Sequence, residues 1–347
     1  MTNAQEMLFG LDTFGDMNNT DDGQPETAAQ VIRNVVLQAK LADELGINAF
    51  NLGEHHRPDF AVSAPDTVLA GIATVTKNIT IGTGVTVLSS DDPVRVFQRF
   101  ATIDALSNGR AEITAGRGSF IESFPLFGYE LDDYDQLFEE KLQLLSQLWE
   151  EKAVTWHGHL RSSLNNQEVY PKTEKGSMGI RVGVGGSPES VIRAANHGIP
   201  MALAIIGGDP ARFEPFARLY RTRLQELGKE QLPVSIHSPG YIAPTDEEAF
   251  EEFWPYYQGS FGRIGRERGW GEANHGHYMS EVLHGSMYCG SPETVAKKIA
   301  YAIEAVGAQR FDLKYSNGPM PQSRLLRNIE LYATEVVPRV KKLLAAK

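Results

Sequence analysis

The stretch Ile79-Thr80-Ile81-Gly82-Thr83-Gly84-Val85-Thr86-Val87-Leu88 decides the fold, together with three features downstream of it: Pro93, the turn Asn108-Gly109 and the apolar run 111–115. Its ten residues are rich in β-branched side chains, which suit a buried, pleated strand. Pro93 is placed to open a helix and Asn108-Gly109 to end it. A second strand then begins at once. Two strands joined through a helix must run parallel, since antiparallel neighbours need only a tight turn.

The same unit recurs on both sides. Upstream, a strand over 7–12 precedes a helix expected over 25–45, and a strand over 49–53 precedes one over 65–75. Downstream, strands over 111–115, 181–184, 201–206 and 234–237 precede helices over 134–149, 187–197, 209–227 and from Thr245-Asp246-Glu247-Glu248, a capping-box pattern. The last pair is a strand over 310–315 and a helix over 322–342. Eight strand–helix units predict an α/β protein, an eight-stranded parallel (β/α)8 TIM barrel with insertions, ahead of an open doubly wound sheet. Its chemistry is expected at the C-terminal ends of the strands. Residues 151–179, with a short hairpin around Val154 to His159, and residues 254–290, rich in Gly, Arg, His and aromatics, break the rhythm. Neither has the apolar residues for a core of its own, so 1–347 is expected to be one domain.

Composition narrows the function. Thirty-three basic against 44 acidic residues leave a net charge of −11, the wrong balance for gripping nucleic acid or an anionic membrane. No apolar run approaches the roughly 18 residues of a membrane span. Met1 to Glu6 lacks the basic start and apolar stretch of a signal peptide. The single cysteine, Cys289, excludes an internal disulfide and suits a reducing compartment. A soluble cytoplasmic protein is expected, with neither nucleic acid nor membrane as partner.

Four motifs fall at strand ends. Glu54-His55-His56-Arg57 offers a histidine where barrels place reactive groups, or a polar loop that caps the mouth. Thr83-Gly84-Val85-Thr86 permits close approach of a flat ligand, or packs small residues inside the barrel. Gly116-Arg117-Gly118 presents a guanidinium suited to phosphate or carboxylate, or to a structural ion pair. Gly185-Gly186-Ser187-Pro188-Glu189-Ser190 is the sharpest anion site. Ser187 reads as N-cap and Pro188 as the first helical residue, with free amides and the positive dipole end facing the mouth. Gly290-Ser291-Pro292-Glu293-Thr294 nearly copies it but follows an insertion, and is expected to be a plain cap. His157-Gly158-His159 and His275-Gly276-His277 lie in the insertions, away from strand ends, so no metal is expected. Asp104 and Arg110 fall at the opposite, stabilising face. No Gly-x-Ser-x-Gly elbow or Rossmann glycine fingerprint is present.

In this order the motifs resemble the bacterial luciferase-like flavin monooxygenase family. The pieces are Gly53-Glu54-His55-His56, Gly82-Thr83-Gly84-Val85, Asp92-Pro93-Val94-Arg95, Asp104-Ala105-Leu106-Ser107-Asn108-Gly109-Arg110, Gly116-Arg117-Gly118 and the two Gly-Ser-Pro-Glu turns, over about 7–315. The resemblance implies a barrel that takes reduced FMN from a partner flavin reductase and uses dioxygen to oxidise a small, apolar organic substrate. It implies that Arg117, Ser187 and Ser190 hold the flavin phosphate, with Gly186 and Glu54 completing the cofactor set. Gly84-Val85 would match the family's cis peptide against the ring, and His55 its active-site histidine. Gly116 stands where luciferase carries a reactive cysteine, so the light-emitting reaction is not implied. Phe14, Phe60, Phe120 and Phe124 suggest an apolar lining. The segment 258–290, with Trp270 and Tyr278, is expected to be a lid that keeps water out, ahead of an ordered oligomer contact, and a homodimer is expected. Two alternatives stand beside this reading. One is a deazaflavin-dependent oxidoreductase of the same barrel family, whose cofactor tail Arg161, Lys172 and Lys175 would meet. The other is a flavin-binding protein without turnover.

Overall fold

The strands of the computed structural model, which describes residues 5–118, 120–268 and 273–346, are, in chain order, β1 (Leu8–Thr13), β2 (Ala49–Leu52), β3 (Thr80–Thr83), β4 (Thr86–Val87), β5 (Glu112–Gly116), β6 (Val154–Trp156), β7 (Leu164–Gln167), β8 (Gly179–Val184), β9 (Met201–Ala204), β10 (Val234–Ile242), β11 (Tyr288–Gly290) and β12 (Arg310–Lys314). Nine of them run in parallel in the order β3-β2-β1-β12-β10-β9-β8-β5-β4. The two ends of that path, β3 and β4, are consecutive in the chain, and Ile81 bridges Ala111, so the sheet curls round as a barrel. Eight strands were expected and nine form the circuit. The third breaks in two at Gly84-Val85, whose peptide bond is cis, and its halves serve different neighbours: β3 pairs with β2 and β4 with β5.

The helices are α1 (Ala28–Glu44), α2 (Pro65–Val75), α3 (Pro93–Ser107), α4 (Ser123–Phe127), α5 (Tyr134–Leu148), α6 (Pro188–His197), α7 (Glu214–Glu226), α8 (Asp246–Arg268), α9 (His275–His284), α10 (Pro292–Val306), α11 (Gln322–Leu331) and α12 (Val337–Ala345). α3 starts at Pro93 because Asp92 accepts from the amides of Val94 and Arg95, and it stops where Asn108 turns left-handed at φ 57°. α1 starts three residues later than Pro25 suggests, since Thr27 Oγ1 caps the amide of Gln30 at 3.2 Å. The closing helix is two helices joined by a π-helical turn, Tyr332–Val336.

Both insertions carry regular structure. β6 and β7 form the hairpin in 151–179, its second strand lying beyond the expected residues. In 254–290 most of the described residues are helical or extended: α8 runs on to Arg268, α9 follows, and β11 adds to β10 in parallel. Tyr278 is buried against Trp254 and Tyr257 at ring separations of 5.2 and 4.9 Å. Trp270, the other residue of the expected lid, lies outside the described residues.

The barrel interior is charged. Arg181 on β8 meets Glu112 of β5 at 2.8 Å and Asp312 of β12 at 3.1 Å, while Arg310 meets the same two carboxylates at 2.8 and 2.7 Å. Burial alone would raise Glu112 and Asp312. The two guanidiniums outweigh it and hold both carboxyls below their usual range. Asp104 accepts from the amides of Ala111 and Glu174, and Arg110 is bound to the carbonyls of Ala73, Thr76, Ile79 and Ser107, which closes the N-terminal end of the barrel.

Candidate active site

The chain leaves β5 at Gly116 and at once presents Arg117. Its Nη1 is held by Asp135 Oδ1 at 2.7 Å, its plane lies over the Tyr134 ring at 4.9 Å, and its Nη2 reaches Ser190 Oγ at 3.4 Å. Ser190 Oγ is 2.8 Å from Ser187 Oγ, which also accepts from the Ser190 amide as the cap of α6. Gly186 turns the chain into that cap at φ +93°, against Phe213. The sequence motifs around Arg117, Gly186, Ser187 and Ser190 thus converge on one helix start. Asp135 and Tyr134, which orient the guanidinium, were not singled out from the sequence; an aromatic–acid pair opening a helix carries no local signal of its own.

The near-copy at α10 is a control within the same fold. Ser291 caps α10 in the same way, but Asp246 fills the place an anion would take. Its Oδ1 accepts from the Ser291 amide at 2.6 Å and its Oδ2 from Thr294 Oγ1 at 2.9 Å. At α6 the nearby side chain is a cation instead.

His55 sits in an aromatic cage, 8% exposed, with ring centroids of Phe60 at 4.5 Å, Phe14 at 4.6 Å and Phe120 at 5.0 Å. Phe124 is apart from this group, buried against Tyr134. Burial first, then the charges of Lys314 and Arg57 nearby, push the His55 imidazole down to about 3, so its ring is neutral near pH 7. Its Nε2 has no hydrogen-bond partner. Glu54 faces the other way: Oε1 pairs with His56 Nε2 at 2.9 Å and Oε2 accepts from the Val87 amide at 3.2 Å, tying the β2 end to β4. A cleft of about 270 Å³ opens beside Glu54, and its cation Arg99 is already paired with Asp66 and Asp91.

Gly84 and Val85 lie between these groups. A Cβ on Gly84 would overlap Asp12, and one on Gly116 would lie 2.5 Å from Val85 Cγ2. The backbone at this point therefore packs with no room to spare. Lys314, under Phe14 at 4.6 Å, pairs with Asp16 at 3.2 Å. Asp12 and His237, both on inward faces of strands, complete the floor. Sequence reading passed over them, although a charged or polar residue alternating with Leu11 and Ile236 is the signal that was there.

Residues 14–310 match the profile of the family described as luciferase-like monooxygenase. The N-acetyl-S-alkylcysteine monooxygenase of Bacillus subtilis is 30% identical over 65% of this chain and 66% of its own. Among solved structures, the oxygenating constituent of 3,6-diketocamphane monooxygenase from Pseudomonas putida, in complex with FMN, superposes with a TM-score of 0.80 at 17% identity, over 96% of this chain and 98% of that one. The coenzyme F420-dependent tetrahydromethanopterin reductase of Methanopyrus kandleri superposes with a TM-score of 0.72 at 19% identity, over 96% and 99%.

Proposed function

The chain belongs to the luciferase-like monooxygenase family, and from that premise we propose that it is the oxygenating component of a two-component system, which takes reduced FMN from a partner flavin reductase and uses dioxygen to oxidise a small, largely apolar organic molecule. The observation that carries the reading is the helix start at Ser187, where two hydroxyls and Arg117 converge and, among the described residues, no carboxylate takes the cap as Asp246 does at α10. That donor set fits a phosphate monoester. Reduced flavin bound there would supply the electrons that activate dioxygen.

The chain's own residues would bind, orient and exclude water. Arg117, Ser187, Ser190 and the backbone at Gly186 would hold the phosphate. Gly84 and Val85 would lie against the ring, kept in place by Glu54 through the Val87 amide. His55, neutral and free at Nε2, would hold or pass a proton at that atom, inside a cage of phenylalanines that keeps water away.

FMN is favoured over a deazaflavin by where the other basic residues lie. Lys172 donates to the Glu151 carbonyl and Lys175 packs on Gly109, beside the Glu174–Asp104 contact at the N-terminal end of the barrel. Arg161 is engaged by Asp92 at 2.7 Å. Lys172 and Arg161 are thus engaged by partners within the chain, which favours FMN over a cofactor whose anionic tail they would have to meet. No helix among the described residues is long and apolar enough to cross a membrane, and Cys289 is a buried free thiol, which supports a cytoplasmic location. Leu37, Val75 and Leu106 on the outer helices α1, α2 and α3 are exposed, which supports a homodimer.

Anaerobic titration with reduced FMN and with a reduced deazaflavin, followed by admission of dioxygen, tests the reading. Binding of FMN with oxidation slower than that of free FMN is expected. Binding of the deazaflavin alone would overturn the cofactor, and oxidation of bound FMN at the free rate would point to binding without turnover.

A further inference from the structure

Beside Gly84 and Val85 the barrel has a partly open cavity of about 40 Å³, lined among others by Asp12, Asn51, Thr83, Thr114, Arg181 and His237. Three polar atoms of this lining, Asp12 Oδ1, Arg181 Nε and His237 Nε2, have no hydrogen-bond partner. Buried polar atoms are nearly always satisfied by protein or by ordered water. A space above roughly 10–15 Å³ holds a water when several polar groups face it. Asp12 Oδ1 and His237 Nε2 are 3.9 Å apart, beyond a direct hydrogen bond and within reach of a shared water.

The two groups are complementary in charge state. Burial pushes the Asp12 carboxyl well above the usual carboxylate range, against the pull of Lys314 and Arg181 and with help from Asp312 and Asp16. Burial takes the His237 ring down to about 4, with Asp312 opposing and Lys314 and Arg181 assisting. Both shifts favour the neutral pair, with the proton on the carboxyl and a lone pair on the ring, over the ion pair. His237 is also the outer member. Its side chain is 19% exposed against 2% for Asp12, and its ring meets the edge of Phe14 at 6.2 Å, the same ring that packs on His55.

We propose that the cavity holds water joining Asp12 to His237, and that the two residues form a proton store beside Gly84 and Val85. In the transfer the Asp12 O–H bond breaks and an N–H bond forms at His237 Nε2, with water passing the proton on. The products are a carboxylate facing Lys314 and Arg181 and an imidazolium at His237, with the net charge unchanged; burial of both groups disfavours that ion pair, so the proton rests on Asp12 and occupies His237 only in passing. The use of this proton in turnover rests on the flavin reading above; the store itself does not.

Infrared difference spectra of the ligand-free protein at pH 7, wild type against Asp12→Asn, in light and heavy water, test it. A deuterium-sensitive carbonyl band of a protonated carboxylic acid is expected in the wild type and lost in Asp12→Asn. His237→Gln is expected to shift that band, and it carries the test should Asp12→Asn not fold. Carboxylate bands in place of the acid band, or an acid band unmoved by His237→Gln, would overturn the proposal. A wild-type protein that shows the band and the shift but binds no reduced FMN would overturn the flavin reading and leave the store standing.

Discussion

Arg117 Nη2 lies 3.4 Å from Ser190 Oγ while Asp135 holds its Nη1 at 2.7 Å, so one guanidinium spans from the end of β5 to the start of α6. A cation held over a helix N-terminus by a carboxylate behind it is positioned to meet a phosphate without further rearrangement. Arg117→Ala should therefore weaken reduced FMN by about 1.5–3 kcal/mol, roughly 10- to 150-fold in Kd. Arg117→Lys should recover part of that, since a lysine keeps the charge and loses the fork. Anaerobic calorimetry checks both, and an unchanged affinity in Arg117→Ala would remove this residue from the phosphate site.

Asp246 makes the opposite prediction at the matching helix start. Burial tends to raise its carboxyl, but the Ser291 amide and the Thr294 hydroxyl outweigh that and hold it below the usual range. The stabilisation it gives is present above the unfolded value of about 3.9 and is lost as pH falls through the lower folded value. Asp246→Ala should cost about 1 kcal/mol in urea unfolding at pH 7, the scale of a lost N-cap, and leave FMN affinity as it is. A drop in FMN affinity like that of Arg117→Ala would mean that the α10 start is the anion site.

Local chemistry explains what was legible beforehand. Ser187, Pro188 and Gly186 announce a capped helix because capping depends on neighbours in sequence, and Asp92-Pro93 does the same for α3. The inward direction of the charged floor was not legible. Arg310-Phe311-Asp312-Leu313-Lys314 alternates charged and apolar residues, the pattern of a strand with one face in water. Here the charged face points into the barrel and pairs with Arg181 and Glu112, a fact of tertiary closure alone. The continuation of α8 past Trp254 was hidden for the related reason that Pro255, Gly259 and Gly262 lower its intrinsic propensity, while packing of Phe253 and Tyr257 into the core holds it. Likewise the run 79–88 reads as one strand, because nothing in β-branched composition marks where two halves turn to different neighbours.

Val85 is wedged against two glycines. A Cβ on Gly116 would meet three of its side-chain atoms at 2.5–2.9 Å, and one on Gly183 would meet its Cγ1 at 3.0 Å. Gly116→Ala should destabilise the fold by about 1–3 kcal/mol through overpacking. Val85→Ala in the same chain should restore part of the loss, giving a coupling of at least about 0.5 kcal/mol in a double-mutant cycle read by urea unfolding. Additive single effects would show that Val85 can move aside and that the contact does not fix the floor.

His55 gives the fold a dependence on acid that can be read directly. Its folded value of about 3 lies below the ordinary 6.5, because burial disfavours the charged ring. The unfolded chain therefore takes up a proton below pH 6.5 that the folded chain refuses. The stabilisation is complete above pH 6.5 and is lost as pH falls towards 3, at up to about 1.4 kcal/mol per pH unit. His237, at about 4, acts in the same direction over a shorter range. His55→Phe keeps an aromatic ring in the cage and removes the titration, so its urea midpoint should fall less steeply than that of the wild type between pH 6.5 and 5. In the same range wild-type turnover should show no inflection from His55, whose ring stays neutral throughout. Parallel stability slopes for the two proteins would mean that His55 titrates as freely as it does in the unfolded chain, and its assignment as the neutral proton-handling group would fail with it.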